Sequence, residues 1–555
     1  MSVLYFLLLV GALVLVHELG HFVAAKAVGI KVLRLSLGFG PPVLRLQGKE
    51  TVYQIGAIPL GGFVRLYGDE PSDVVADGDR HRSFAFKPVW QRLVVVFAGP
   101  VFNLLCPFAI YFAIYAGETE LPAAVIGDVL PGGPAAQAEL QAGDRVLEIN
   151  GRRVRHWEGI ERIVARSAAK PLLFRIRRGS NEHSAYVTPR RQILHTREGL
   201  QAWQGQIGIT QAPFMAQIGV LDKASPAAVA GLRTGDVITS IDGKTTPTFA
   251  EVERLLRPTN RASLALLRPT RISLGAAEIE VMEPALVDLV PDISVGPERR
   301  RRAITGIHSA EFFVARVEPG TPAEKAGMRE GDLIESLEGV PVTHWVTFDQ
   351  TLQANPDHPF RIGWLRARPE GGIERHEAAI QQEHHRVVDE YGHEYDALVF
   401  GAVNDYRTGP IVLAPIDGRI AYAASHAFER TGATIVEMIR GVGLLVTGRI
   451  PGEVGGPIMM YRMASVSGAQ GWIPFMLVIA LVSTNLGLIN LLPIPMLDGG
   501  YLLLAVLEGT RRRRVSSRIR SAAVVAGLAV LVSLTILAVK NDIVRYFLDR
   551  TVTAW

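Results

Sequence analysis

Two histidines four residues apart with a glutamate between them, His17-Glu18-Leu19-Gly20-His21, are the residues of this chain best suited to do chemistry. On an α-helix, positions i and i+4 share a face, so both imidazoles can be presented to one Zn²⁺. A carboxylate at Glu18 can take the proton of a water acidified by such a metal and pass it to a leaving amine. A five-residue motif with two free positions also occurs by chance, so the surroundings decide. Here the three side chains lie inside a long apolar run, where ionisable groups are costly unless paired or bound to a metal. Two imidazoles leave a catalytic zinc one protein ligand short. The candidate for the third is Asp498, in Asn490-Leu491-Leu492-Pro493-Ile494-Pro495-Met496-Leu497-Asp498-Gly499-Gly500. Pro493 and Pro495 must interrupt a helix there, and irregular backbone at membrane depth is tolerated only against protein or a wet cavity.

The elements that must position these residues are apolar and long. The chain has 555 residues, 48% of them hydrophobic and 20% charged, with mean hydropathy +0.21, so its apolar residues must be concentrated in segments. Its length is ample for several domains. Four stretches, 3–29, 93–115, 472–492 and 522–539, each approach the roughly 20 residues a helix needs to cross a bilayer. The first is expected to be a retained helix and not a signal peptide, because no basic residue precedes it and it carries the His/Glu motif. Lysines and arginines crowd the loops between spans one and two and between spans three and four, the latter with Arg511 to Arg514, Arg518 and Arg520. Both loops are therefore expected to be cytoplasmic, with the long region between spans two and three, and both termini, on the far side. A net charge of only +4, and arginine clusters at 299–302 and 511–514 without interleaved aromatics, argue against a nucleic-acid partner. Cys106 is the single cysteine, so no intrachain disulfide can form.

The long insert repeats itself. Gly133-Pro134, Gly143-Asp144 and Asn150-Gly151 recur as Ser225-Pro226, Gly235-Asp236 and Asp242-Gly243, and again as Thr321-Pro322, Gly331-Asp332 and Glu338-Gly339. Ser225 or Thr321 can cap a short helix that begins with proline, and Gly231 or Gly327 can close it in a left-handed conformation. A strand such as 237–241 follows and turns at Asp242-Gly243. The first copy departs from the pattern, with Glu139 in the place of the closing glycine. These residues and their order resemble PDZ domains, so three tandem PDZ-like modules are expected. PDZ grooves take an extended peptide as an added strand, and each groove is a candidate site for such a ligand.

The His17–His21 motif in the first span, the segment ending Leu497-Asp498-Gly499-Gly500 in the third and the PDZ-like modules between spans two and three together resemble the site-2 protease family, in particular its bacterial regulator-of-sigma-E branch. The resemblance covers nearly the whole chain. It implies an intramembrane zinc endopeptidase in which His17, His21 and Asp498 are the metal ligands and Glu18 is the general base. It further implies that Asn490 and Asn485 hold the substrate backbone or the developing oxyanion, as side-chain amides can. It implies a bacterial inner-membrane location, periplasmic modules and an active site toward the cytoplasm. The implied substrates are single-span membrane proteins, such as anti-sigma factors already trimmed outside the membrane, or signal-peptide remnants. One or two PDZ modules are common in that branch, whereas this chain reads as having three, which bears on how substrates are gated.

The expected fold class is a polytopic α-helical membrane protein with four transmembrane helices, a membrane-associated β-sheet and three tandem PDZ-like α+β modules. The layout is helix one at 1–29, a cytoplasmic or membrane-dipping β region at 30–92, and helix two at 93–116. The modules follow at 123–190, 206–290 and 306–383. A linker at 415–470 contains an amphipathic helix suited to the membrane surface or to a soluble connection. Helix three with its Pro/Gly segment occupies 472–509 and helix four 521–540. The glycine-rich alternation of 32–66, with Gly38-Phe39-Gly40 and Pro59-Leu60-Gly61-Gly62-Phe63, looks like a sheet dipping beside the active site, whose free edge can pair with an unwound substrate. Two other readings compete. A membrane-anchored PDZ scaffold or chaperone with an inactive protease core predicts the loss of a motif residue, and none is missing. A soluble-type zinc protease on a tether needs a third ligand in a water-facing helix soon after His21, and no suitable Glu or His sits there.

Overall fold

The computed structural model describes residues 1–69, 73, 75–195, 201–257, 259–274, 277–295, 301–388, 394–447, 455–511 and 516–544. The arginine clusters at 299–302 and 511–514 fall partly outside them. The chain divides into two compact units, one made of Met1–Thr119, Val387–Glu394 and Ile416–Trp555, the other of Glu120–Arg386 and Tyr395–Pro415.

The first unit is helical. Its helices are α1 (Ser2–Ala27), α2 (Val89–Gly117), α3 (Arg419–Val446), α4 (Pro457–Gln470), α5 (Trp472–Leu491), α6 (Asp498–Arg511) and α7 (Ser517–Ile543). Among the described residues four are long and apolar enough to cross a membrane: α1, α2, α5 and the Ser521–Ile543 part of α7. Leu9 and Leu13 of α1 pack against Met459 and Met463 of α4 and Phe475 and Val478 of α5. On its other side α1 meets α2 at Gly20, where a Cβ would collide with the backbone of Ala98 and Gly99. Glycine is required there because the two helix backbones approach within side-chain thickness.

α2 contains Pro100 and Pro107, each of which removes a helical donor. The carbonyl that Pro107 leaves without its i+4 partner is that of Asn103, and Ser483 of α5 donates its hydroxyl to it at 2.8 Å. α5 also presses Gly487 against Leu104 and the Pro100 carbonyl. α3 packs within this unit, with Ala427 buried beside Tyr111 of α2 and Ala480 of α5. Asp542 near the end of α7 is fully buried and accepts the backbone N–H groups of Gly456, Ile458 and Met459. It thus supplies from another helix the cap that the first turn of α4 lacks in itself.

Between α1 and α2, strands β1 (Val32–Gln47) and β2 (Val52–Leu66) form one antiparallel sheet that folds back on itself. Residues 34–37 of β1 pair with both 62–65 and 52–55 of β2, and 44–47 pair with 52–55. The segment 62–66 is consequently an edge. The bend relies on Gly38 (φ 88°), whose missing Cβ gives room to the Ile58 carbonyl.

The second unit carries one four-stranded antiparallel design three times. Its sheets are ordered Arg152–Arg153, Arg145–Ile149, Leu172–Arg178, Asn181–Val187; then Lys244–Thr245, Val237–Ile241, Ala262–Leu274, Ala277–Leu289; then Val340–Pro341, Leu333–Leu337, Phe360–Ala367, Ile373–Ile380. Each first hairpin turns on two residues of positive φ: Asn150-Gly151, Asp242-Gly243 and Glu338-Gly339. Such pairs make the turns whose twist suits a two-residue hairpin. Each repeat has its own buried core, around Phe174, Leu264 and Ile362.

A buried aspartate ties each repeat together. Asp144, Asp236 and Asp332 receive two-pronged hydrogen bonds from Arg178, Arg268 and Arg366, all at 2.7–2.8 Å. The same arginines donate to the carbonyls of Glu139, Gly231 and Gly327, which end the short helices. Glu139 takes the left-handed conformation (φ 57°) that Gly231 and Gly327 adopt without strain, so the first copy ends its helix as the others do. Ser225 accepts from the Ala228 N–H as an N-cap, whereas Thr321 donates its hydroxyl to Glu318 and leaves its helix without a side-chain cap.

Clefts of about 550 and 580 Å³ run beside helices Trp157–Ala165 and Phe249–Leu256 in the first two repeats. At the junction of the repeats, Glu311 and His344 lie 3.4 Å apart beneath Phe214 and Tyr406. Burial pushes the Glu311 carboxyl up to about 7 and the His344 imidazole down to about 4.

Candidate metal centre

The site is assembled from both ends of the chain. His17 and His21 stand one turn apart on α1, their rings nearly perpendicular at 87° with centroids 4.8 Å apart. Asp498 is the first residue of α6, after a break at Leu492–Leu497 that Pro493 and Pro495 impose. In that break Met496 has φ 93°, a strained conformation for a residue with a side chain. Gly499 and Gly500 fit against the carbonyls of Leu491, Leu492 and Ile494, where a Cβ would collide. Gly527 of α7 likewise admits the Pro495 carbonyl. The turn is thus clamped from two sides, and Asp498 is directed at the histidines.

The Asp498 Oδ2 lies 3.2 Å from His17 Nε2 and 3.6 Å from His21 Nε2, and the two Nε2 atoms are 3.2 Å apart. One donor atom from each residue falls within 4.8 Å of the others. The outer ring nitrogens are already engaged. His21 Nδ1 donates to the Val95 carbonyl of α2 at 2.9 Å, and Asn103 Nδ2 lies 3.2 Å from His17 Nδ1. Gly99 makes room for both rings, since a Cβ there would press on His17 and His21. Two imidazoles and a carboxylate with inner donor atoms converging, in a number that leaves a fourth position open, fit a catalytic zinc.

Glu18 projects toward the sheet. The space a Cβ on Gly62 would occupy is bounded by Val14 and the Glu18 side chain. A cavity of about 310 Å³ opens between α1 and the sheet, bounded by Leu15, Glu18, Leu37, Leu46 and Tyr53.

The structure therefore brings His17, His21 and Asp498 together, with Glu18 alongside. Asn490 is half-buried in the last turn of α5 and Asn485 is exposed on the same helix. Neither makes a hydrogen bond or ion pair with the cluster among the described residues. Sequence reasoning missed Asn103, Gly99 and Gly20. Asn103 carried a legible signal, as an amide within the second apolar run, where polar side chains are costly without a role. The glycines carried none, because their purpose is space for another helix.

A donor set of this kind among apolar helices, beside a carboxylate suited to proton transfer, defines a membrane-embedded metalloprotease. The chain belongs to peptidase family M50, whose model matches residues 5–534. It is 28% identical, over 99% of both chains, to a Ralstonia nicotianae protein whose name proposes a zinc metalloprotease. It is 26% identical to Protease RseP of Yersinia pestis, over 98% of this chain and all of that protein. To the regulator of sigma-E protease RseP of Escherichia coli it is 25% identical, over 97% of this chain and 98% of the other.

Proposed function

We propose that this protease is a zinc endopeptidase that cuts single-span membrane proteins within or beside the bilayer, with His17, His21 and Asp498 holding the metal and Glu18 as general base. The observation that carries the reading is the convergence of three donor atoms within 4.8 Å from residues at opposite ends of the chain. When bound, zinc supplies a Lewis acid for the scissile carbonyl and an acidified water. Glu18, next in sequence to His17 and facing the sheet, takes up the proton released on attack and delivers it to the departing amine. The edge segment 62–66 offers backbone partners to an unwound stretch of substrate, and the apolar cavity beside Glu18 accepts its side chains. The carboxamides of Asn490 and Asn485 are assigned to the substrate backbone or the developing oxyanion.

Similarity to proteases named as regulators of sigma E supports substrates of the anti-sigma-factor class, trimmed beforehand outside the membrane. The same similarity supports an inner-membrane location, and the arrangement of basic residues supports a catalytic side that faces the cytoplasm. The three repeats of the second unit are read as PDZ-like modules on the periplasmic side, in the layout 123–190, 206–290 and 306–383. Their role in this reading is to exclude substrates that still carry a bulky external domain, and their clefts are candidate peptide grooves.

Purified full-length enzyme, its zinc content measured by elemental analysis, and a single-span model substrate test the assignment. Glu18→Gln should keep zinc at the wild-type level and lose activity by about 10²–10⁴-fold. Asp498→Ala should lose zinc as well as activity. Cleavage by Glu18→Gln at the wild-type rate, or full zinc occupancy in Asp498→Ala, would reject the corresponding role.

A further inference from the structure

We propose that Asn103 is a positioning residue that holds His17 in the tautomer a metal requires, its buried carboxamide offering the acceptor that a protonated His17 Nδ1 needs. The proposal rests on the assignment of His17 Nε2 as a metal donor.

The protons of the cluster can be traced from their partners. The Val95 carbonyl only accepts, so His21 Nδ1 carries the proton in that 2.9 Å hydrogen bond, and in a neutral ring His21 Nε2 is bare. His17 Nε2 faces two acceptors, that bare nitrogen at 3.2 Å and Asp498 Oδ2 at 3.2 Å, so the ring proton of His17 belongs on Nε2. Its Nδ1 is then a lone pair, and Asn103 Nδ2, 3.2 Å away, donates to it. The chain Asn103, His17, Asp498, with His21 alongside, is a self-consistent hydrogen-bond network.

A metal on His17 Nε2 displaces the proton from that atom. In the neutral ring the proton then sits on Nδ1 and needs an acceptor, which Nδ2 cannot be. Asn103 Oδ1 can. It is fully buried and has no hydrogen-bond partner. A half-turn about χ2 exchanges it with Nδ2. A carboxamide can thus serve either tautomer, donating to a bare His17 Nδ1 or accepting from a protonated one. The backbone that carries it is fixed, because Pro107 leaves the Asn103 carbonyl to Ser483. Asp at this position could only accept and Leu could do neither. Such outer partners of a ligating histidine set ring orientation and basicity.

Two measurements on the full-length protein test this without reading catalysis. Zinc affinity by chelator competition should fall about 10–100-fold in Asn103→Leu and be at or above the wild-type value in Asn103→Asp, the variant that can serve only the loaded state. In zinc-loaded wild-type protein with ¹⁵N-labelled histidine, the His17 ring should carry its proton on Nδ1, a readout that needs no variant to fold. Unaltered zinc affinity in a folded Asn103→Leu protein, or a bare His17 Nδ1 in the zinc-loaded wild type, would overturn the proposal. If the wild type binds no zinc at all, the metal assignment itself fails and the role of Asn103 falls with it.

Discussion

Gly99 carries no donor, yet it is as much a part of the candidate metal centre as the histidines. Its missing side chain is the space in which the rings of His17 and His21 meet α2, and Gly20 provides the matching space on α1. The two glycines are crowded by different things, and their substitutions should separate accordingly. In Gly99→Ala the new methyl meets imidazole rings, which can rotate away, so zinc affinity should fall by at least ~10-fold with little change in melting temperature. In Gly20→Ala it meets the backbone of Ala98 and Gly99, which cannot move alone, so the helices must part at a cost of ~1–3 kcal/mol. Chelator titration and thermal unfolding of the two variants check the pair; equal effects on both readouts would show that the rings have no freedom of their own.

Each repeat of the second unit hangs its sheet and its short helix on one buried ion pair. Asp236 is fully buried, so removing Arg268 strands a charge away from water. Arg268→Met should destabilise the second repeat by ~3–5 kcal/mol, and adding Asp236→Asn should restore part of the loss. Limited proteolysis or denaturant unfolding of the full chain would read it.

The junction between repeats has a pH signature that follows from burial. Glu311, raised from 4.5 to about 7, contributes stability that is fully present below pH 4.5 and lost as pH rises through about 7. His344, lowered from 6.5 to about 4, contributes stability that is present above pH 6.5 and lost as pH falls through about 4. Between 4.5 and 6.5 the two trends oppose, because the folded junction keeps on Glu311 the proton that the unfolded chain keeps on His344. The wild-type junction should therefore be nearly flat across that window. Glu311→Gln should unmask the histidine and lose on the order of 3 kcal/mol between pH 6.5 and 4. Hydrogen exchange of residues 309–317 and 344–348, corrected for intrinsic rates, measures it; a flat profile in Glu311→Gln would contradict the neutral-pair description.

For the whole molecule, replacing 123–412 deletes most of the second unit together with Val387–Glu394, the one stretch of the insert that groups with the first. Strand Glu120–Pro122 pairs with Leu413–Pro415, so the second unit begins and ends at adjacent strands. A short linker replacing 123–412 should leave the four candidate spans and the zinc in place. If the repeats act as a size filter, this form should cut substrates whose external domain is still attached and which the full-length enzyme refuses. Loss of all activity toward short substrates, in a zinc-loaded and membrane-inserted deletion protein, would instead make the repeats part of productive substrate binding.

What could be read from the sequence was periodic or local. The i, i+4 spacing of His17 and His21 needs only one helix to put both rings on one face. The Pro/Gly break before Asp498 is imposed by backbone chemistry. The repeat announced itself through turn residues whose positive φ only a few side chains tolerate. The family resemblance drew on those same segments. The tertiary structure decided which groups meet across elements. Asp498 reaches residues 17 and 21 only because α5 and α7 clamp its turn. The partners of the outer ring nitrogens, Val95 and Asn103, come from a helix whose distance from α1 is set by two glycines. The Arg–Asp pairs bridge strands and turns whose pairing depends on sheet register, and the opposite shifts of Glu311 and His344 come from burial at a junction of repeats. Contacts of that kind depend on packing between distant segments, and spacing along the chain carries no record of them.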